Sequence, residues 1–160
     1  MRYYMKQKAI CFGNDFTIKD EDNRDAFFVD GKAFTFGHQL SFQDMTKNEL
    51  AFISQKLFKF RPTYTITSRG RELAKVTKSL FTIKDRFLID VPGPDDITVV
   101  GKLIDHEYKF YRNKEVIAEV SKKIFSIRDT YGINISATHD QLLILCSAVV
   151  LDMCCHTKKK

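Results

Sequence analysis

The chain has 160 residues, of which 44% are hydrophobic and 29% are charged, with 26 Lys and Arg against 20 Asp and Glu. This length predicts one domain over residues 1–160, and the apolar fraction excludes a disordered chain. Because Arg2, Lys6 and Lys8 interrupt the first residues, no signal peptide is predicted. We therefore expect a cytoplasmic protein whose four cysteines are reduced thiols.

Short alternating segments indicate a strand-rich fold. An apolar-(Ser/Thr)-apolar-(Lys/Arg/Gln)-Asp pattern occurs at 16–20, 40–44, 81–85 and 125–129, and residues 64–91 align without gaps on 108–135 with eight identities. Period-two alternation is typical of half-buried strands, so in 81–89 Phe81, Ile83, Phe87 and Ile89 share the inward face. Turn signals lie at 30–31, 68–70, 92–95 and 112–114. About twelve antiparallel strands between residues 2 and 136 should close into a barrel or a two-sheet sandwich.

The recurrent aspartate of the pattern (Asp20, Asp44, Asp85, Asp129) falls on the inward parity, where a free carboxylate would be costly. One interpretation is that the strand ends there and the carboxylate accepts backbone N–H groups in the turn. The functional alternative is a ring of carboxylates in a catalytic or metal site.

The C-terminal segment 142–155 is apolar on every side apart from Ser147 and Asp152, which predicts a helix over about 139–156. Thr138 and Gln141 have the spacing of a capping box, with Asp140 in the first turn. A helix of fourteen residues rises only about 21 Å, short of the roughly 30 Å hydrocarbon core of a bilayer. Because a barrel of about twelve strands is too wide for its own side chains to fill, we expect this helix to fill its centre, with no transmembrane span.

These features resemble the LURP-one-related family, including its bacterial YxjI-like branch, which is similar to tubby C-terminal domains and phospholipid scramblases. The resemblance is carried by the final helix and by five segments: 1–8, 16–20, 61–64, 105–108 and 129–132. It implies a mainly β fold, a twelve-stranded tubby-like antiparallel barrel enclosing a hydrophobic C-terminal α-helix. Tubby-like relatives bind phosphoinositide head groups through basic residues, but no tubby phosphoinositide motif can be assigned to residues of this chain.

The positive charge is concentrated in residues 56–86, with nine bases against two acids. Strand parity predicts that Phe58 and Phe60 turn inward while neighbouring cations turn outward. The candidate residues for binding an anionic surface are Lys59, Arg61, Arg69, Arg71, Lys75, Lys84 and Arg86. They predict a non-enzymatic binding or scaffold protein that docks on anionic lipid head groups, at the membrane periphery, or on an acidic protein partner. The alternative is a solvated strand face. Nucleic acid is disfavoured, because the patch lacks outward aromatic residues and a groove-reading helix.

No catalytic residue, metal site or cofactor is predicted. There is no Gly-x-Ser-x-Gly elbow or glycine-rich phosphate loop, and adjacent Cys154, Cys155 and His156 point in different directions on a helix. Cys146, Cys154 and Cys155 are instead interpreted as core residues, and His106 as a residue that stabilises a turn. The alternative function is a small-molecule carrier or enzyme with a pocket at a barrel mouth, lined by polar groups such as His106, Glu107 or Tyr131. A purely structural partner in a complex would have the same sequence features.

Overall fold

The structure, a computed structural model, describes residues 1–6, 15–31, 37, 39–57, 60–79, 84–124, 130–136 and 140–156. These residues form twelve β-strands, a 3₁₀ turn at Lys122–Ile124 and one α-helix, α1 (Gln141–His156). The strands are β1 (Arg2–Lys6), β2 (Phe16–Asp20), β3 (Asp25–Gly31), β4 (Gln39–Asp44), β5 (Glu49–Gln55), β6 (Thr63–Ser68), β7 (Arg71–Lys78), β8 (Asp85–Asp90), β9 (Ile97–Lys102), β10 (Glu107–Arg112), β11 (Glu115–Ser121) and β12 (Thr130–Ile135).

The strands form a closed antiparallel barrel in which each strand pairs with its neighbours in sequence. The barrel closes where β12 pairs with β1, and Tyr3 lies opposite Ile133. Closure leaves no unpaired sheet edge, which is the physical advantage of a barrel over a sandwich for so many short strands. The prediction of a mainly β, twelve-stranded barrel is confirmed.

Helix α1 fills the barrel, and its residues from Leu143 to Cys154 are buried on all sides. It packs against β5, β6, β7 and β12. The barrel interior supplies the matching apolar layer, including Ile53, Val76 and Ile133. An all-round apolar helix gains stability only where every face is covered, and each fully buried Leu or Val contributes about 1.5–3 kcal/mol. The enclosed helix is therefore confirmed as the core of the protein.

Asp140 is the N-cap of α1, because its carboxylate accepts the Leu143 N–H at 3.2 Å. The sequence predicts Asp140 in the first turn of the helix, whereas Asp140 lies one position before that turn. Thr138, the other predicted capping residue, lies outside the described residues. The predicted turn at Asp30 and Gly31 is wrong, since both residues belong to β3 and pair with Ser41 and Leu40 of β4. The turns predicted at 68–70, 92–95 and 112–114 are observed.

The direction of α1 distinguishes the two ends of the barrel. At the helix-start mouth lie Gln141, the start of β1 and the hairpin turns after β2, β4, β6, β8 and β10. At the helix-end mouth lie Asp152 and the last residues of β1, β3, β5, β7, β9 and β11. Because successive strands alternate in direction, residues close in sequence can lie at opposite mouths.

The two segments that align without gaps, 64–91 and 108–135, occupy β6–β8 and β10–β12. Their pairing corresponds, since Tyr64 lies opposite Val76 and Tyr108 opposite Val120. A register shift follows Ile66 in β6 and the aligned Phe110 in β10. The first hairpins of the two segments therefore share their register and their bulge, whereas Lys78 ends β7 and the aligned Lys122 begins the 3₁₀ turn.

Candidate functional site

The recurrent aspartates stabilise the barrel ends rather than forming one site. Asp20 accepts the backbone N–H groups of Asp22 and Arg24 at 2.9 and 3.0 Å, and Asp44 accepts those of Thr46 and Asn48 at 2.8 and 3.0 Å. The hydrogen bond from the Arg24 backbone, above all, lowers the pKa of Asp20, and the Thr46 hydroxyl, followed by the Asn48 side chain, lowers that of Asp44.

Asp85 differs, because the N–H that it accepts, at 3.2 Å, belongs to Leu103 of the β9–β10 turn rather than to its own turn. Asp85 also lies at the opposite mouth from Asp20 and Asp44. The turn interpretation is therefore confirmed for Asp20 and Asp44, and Asp129 lies outside the described residues. A ring of carboxylates is excluded for the three described members, since they do not share one end of the barrel.

The six candidate cations that the structure describes divide between the two ends and the wall of the barrel. Arg61, Lys84 and Arg86 lie at the helix-end mouth, where all three are exposed. Arg69 and Arg71 are at the helix-start mouth, in and after the turn between β6 and β7. The wall cation Lys75 lies 3.7 Å from Glu72 and is paired in register with Asp90. Lys59 lies outside the described residues.

Three consecutive connections at the helix-end mouth are joined by hydrogen bonds. The Lys78 N–H, at the end of β7, donates to Pro62 O at 3.1 Å and thereby joins the β5–β6 connection to the next one. The Ser79 N–H donates to Arg86 O at 2.8 Å, which closes the β7–β8 connection. Asp85 then accepts the Leu103 N–H from the β9–β10 turn at 3.2 Å. The three connections therefore form one continuous rim.

The described residues of these three connections, within 56–62, 78–86 and 102–107, are called the cationic rim below. They include six bases and three acids. The bases are Lys56, Arg61, Lys78, Lys84, Arg86 and Lys102. The four hairpin turns that flank the same strands at the helix-start mouth (44–49, 68–72, 90–96 and 112–115) carry five bases and seven acids. Over the described residues, this side of the barrel is thus more positive at the helix-end mouth than at the helix-start mouth.

The cationic rim also carries exposed apolar side chains. Phe60 is 88% exposed, Ile104 is 71% exposed, and Leu57 is also exposed. The prediction that Phe60 turns inward is wrong. Strand β5 ends at Gln55 and β6 begins at Thr63, so Phe60 lies in a connection where strand parity does not apply.

A buried polar pair lies beneath the rim. His106 Nε2 is 2.9 Å from Asp152 Oδ1, and the two residues are only 2% and 1% exposed. His106 closes the β9–β10 turn, with a left-handed φ of 51° and its N–H donating to Leu103 O at 3.0 Å. The predicted turn-stabilising role is thus observed, and the same imidazole also attaches the turn to the end of α1.

Aromatic residues of the barrel wall enclose this pair and the end of α1. The imidazole of His106 packs against the Tyr131 ring with centroids 4.4 Å apart, and the Tyr131 hydroxyl lies 3.7 Å from Met5 Sδ. Burial, followed by the nearby Cys154 thiol, raises the pKa of the Tyr64 hydroxyl. Sequence reasoning missed Asp152 as a partner for His106, although an acid on an all-apolar helix is itself a signal that a buried partner exists.

The polar groups suggested for a mouth pocket do not converge. His106 and Tyr131 are buried, and Glu107 accepts hydrogen bonds from the Ser121 hydroxyl at 2.9 Å and the Lys122 N–H at 3.2 Å. A groove of about 510 Å³ does lie at the helix-start mouth. It is lined by Asp44, Asn48, Glu49, Leu50, Ser68, Arg69 and Leu142.

Cys146 and Cys154 are buried free thiols, as predicted, and burial raises the pKa of Cys146. The side chain of Cys155 lies outside the described part. Within the described ranges, no group of three or more His, Cys, Asp or Glu side chains could hold a metal ion. Among these same residues, no helix is both long enough and apolar enough to cross a membrane.

A sequence model of the LURP-one-related family matches residues 1–152. The chain belongs to this family. It is 33% identical over 150 residues to the uncharacterized protein YxjI of Bacillus subtilis (strain 168), covering 94% of this chain and 91% of that protein. The X-ray structure of an Arabidopsis thaliana protein aligns with a TM-score of 0.69 at 14% identity, covering 94% of this chain and 90% of the other. That likeness establishes the shared fold alone.

Proposed function

We propose that this LURP-one-related protein is a non-enzymatic binding or scaffold protein that docks on an anionic surface through the cationic rim. The observation that carries the proposal is the joining of three connections that present Arg61, Lys84 and Arg86 at one end of the barrel. A rim fixed by hydrogen bonds presents its charges together without a large ordering cost on binding. Docking on a membrane would make the protein peripheral to that membrane.

The charge distribution supports binding by this end rather than by the barrel wall. Lys75 on the wall faces Glu72 and Asp90, which reduce its attraction for an outside anion. Two of the three acids in the rim already have internal partners. Asp85 accepts the Leu103 N–H and lies 3.9 Å from Lys78 Nζ, and Glu107 accepts the Ser121 hydroxyl. The remaining acid, Asp105, is exposed.

Charge reversal tests the proposal. Each Lys or Arg near an anionic membrane contributes about 1 kcal/mol, so losing three contributions alone should weaken binding about 100-fold. The test variant carries Arg61→Glu, Lys84→Glu and Arg86→Glu. The matched control makes the same charge change at the helix-start mouth, where Arg2, Arg69 and Arg71 are each replaced by Glu.

Binding is measured at low and high salt on two anionic surfaces, which are vesicles of equal parts phosphatidylserine and phosphatidylcholine, and polyaspartate resin. We expect the wild-type protein and the control to bind at least one surface in a salt-sensitive manner, and the rim variant to lose that binding. Equal loss in both variants would assign the effect to net charge alone. Failure of the wild-type protein to bind either surface would refute the proposal.

A second candidate function is that of a small-molecule carrier, favoured by the groove at the helix-start mouth. Asp44, Glu49 and Arg69 line it together, so it has both signs of charge on an apolar floor that includes Leu142. These groups would suit a small ligand with an ammonium and a carboxylate, such as an amino acid. A thermal-shift screen of amino acids should then give a stabilisation that Arg69→Ala removes. Equal shifts in the wild-type protein and the variant would reject this candidate.

A further inference from the structure

We infer that the cationic rim meets an anionic lipid bilayer end-on, with Phe60 and Ile104 entering the interfacial layer between head groups and acyl chains. This inference rests on the proposed function, because it names the anionic surface and the orientation in which the protein meets it. The anionic partner is thus a membrane rather than an acidic protein.

Exposed apolar side chains lie among the cations of the rim. Single exposed apolar residues are common on protein surfaces. The two most exposed of the large apolar side chains described, Phe60 and Ile104, lie on the same rim among its cations, whereas the less exposed Met1, Met45 and Val116 lie at the other mouth. A bilayer interface offers negative charge and, immediately beneath it, an apolar layer, so it is complementary to both kinds of side chain.

The two connections that carry Phe60 and Ile104 are each tied at their base. The β5–β6 connection that carries Phe60 is closed at its base by the Lys56 N–H, which donates to Thr63 O at 2.8 Å. Ile104 lies in a turn that two buried side chains attach to the barrel, since Leu103 is buried and His106 contacts Asp152 of α1. The turn therefore projects Ile104 outward from a fixed base.

The spacing between Phe60 and Ile104, the two apolar tips, also suits a bilayer. The β5–β6 and β9–β10 connections are four strands apart along the rim, which corresponds to about 19 Å at the usual spacing between strands. Lys84 and Arg86 lie between them along this arc. Two apolar tips that bracket a row of cations suit a broad, flat surface. A compact acidic protein motif would neutralise the cations and leave the tips in water.

The chain has no tryptophan, so a single substitution introduces a unique fluorescent reporter. We would prepare Phe60→Trp and Ile104→Trp as rim reporters. Val116→Trp serves as the matched control, because Val116 is 49% exposed at the helix-start mouth. Each protein is mixed with vesicles of equal parts phosphatidylserine and phosphatidylcholine, with and without brominated acyl chains. Sedimentation of the same samples reports binding separately.

We expect blue-shifted emission and quenching by brominated lipid for both rim reporters, and neither effect for the control. Vesicles of phosphatidylcholine alone should give neither effect with any variant. In an otherwise wild-type chain, Phe60→Ser together with Ile104→Ser should reduce vesicle binding about tenfold or more, because the apolar contribution is lost while every cation remains.

The possible failures are distinguishable. If all three reporter variants sediment with anionic vesicles but the rim reporters show no spectral change, the insertion is refuted and electrostatic docking stands. If Val116→Trp is quenched instead, the orientation is reversed and the inference is wrong. Binding to polyaspartate resin without vesicle binding would replace the membrane by an acidic protein partner. Binding to neither surface would refute the proposed function as well.

Discussion

The buried pair between His106 and Asp152 supports a quantitative prediction about stability. Asp152→Leu leaves a buried imidazole without its partner, which costs about 1–3 kcal/mol. His106→Leu leaves the carboxylate of Asp152 buried without its imidazole partner, and removing the partner of a buried carboxylate costs about 3–5 kcal/mol. The double variant removes both polar groups, so its loss should be close to that of packing and backbone changes alone. We therefore expect a coupling energy of at least about 3 kcal/mol.

Urea denaturation of the wild-type protein, the two single variants and the double variant measures this coupling. For a chain of this length, each kcal/mol lowers the melting temperature by about 2–4 °C, so His106→Leu should unfold about 6–20 °C below the wild-type protein. His106→Gln is the matched control. It places another side chain at the same left-handed position, where φ is 51°, and offers an amide donor to Asp152. It should recover more than half of the loss seen in His106→Leu.

The result that would refute this reasoning is additivity. If the two single losses sum to the double loss within about 0.5 kcal/mol, the side chains stabilise the barrel independently. Equal destabilisation by His106→Gln and His106→Leu would assign the effect to the backbone turn rather than to the hydrogen bond. Either outcome would remove the pair as the attachment of the β9–β10 turn to α1.

Two further predictions concern the core and the turns. Leu145→Asp places a carboxylate in the fully buried centre of α1, and the combined cost of lost packing and an unpaired buried charge should exceed the usual stability of about 5–15 kcal/mol. The Leu145→Asp protein should then show no cooperative unfolding by circular dichroism. The control Leu142→Asp, at the partly buried start of the helix, should fold. A folded Leu145→Asp variant would contradict the assignment of α1 as core. Asp44→Asn should be less stable than the wild-type protein at neutral pH, because the folded state lowers the pKa of Asp44 below its ordinary value of 3.8. The stabilisation by the Asp44 carboxylate is present above that value and is lost as the pH falls through the folded pKa. Denaturation curves of the two proteins should therefore converge in acid. A constant difference in stability at all pH values would contradict this prediction.

Sequence determined the features that depend on local patterns. Period-two alternation placed Val76, Phe87 and Ile89 inside the barrel, because successive side chains of a strand point to opposite faces. The all-apolar C-terminal segment predicted an enclosed helix, since such a helix gains nothing at a protein–water boundary. The turn role of Asp20 and Asp44 followed from the cost of a buried carboxylate, and the structure confirms it.

Only the tertiary structure decided which side chains share a surface. Arg69 is close in sequence to Arg61 and Lys84 but lies at the other mouth, because each antiparallel strand reverses the direction of the chain. The exposure of Phe60 depends on where β5 and β6 end, which alternation alone does not specify. His106 and Asp152 are 46 residues apart, and their contact exists only because closure of the barrel brings the β9–β10 turn over the end of α1. Within the strands, local periodicity thus determines which residues are buried, whereas strand ends, strand direction and closure determine which residues meet.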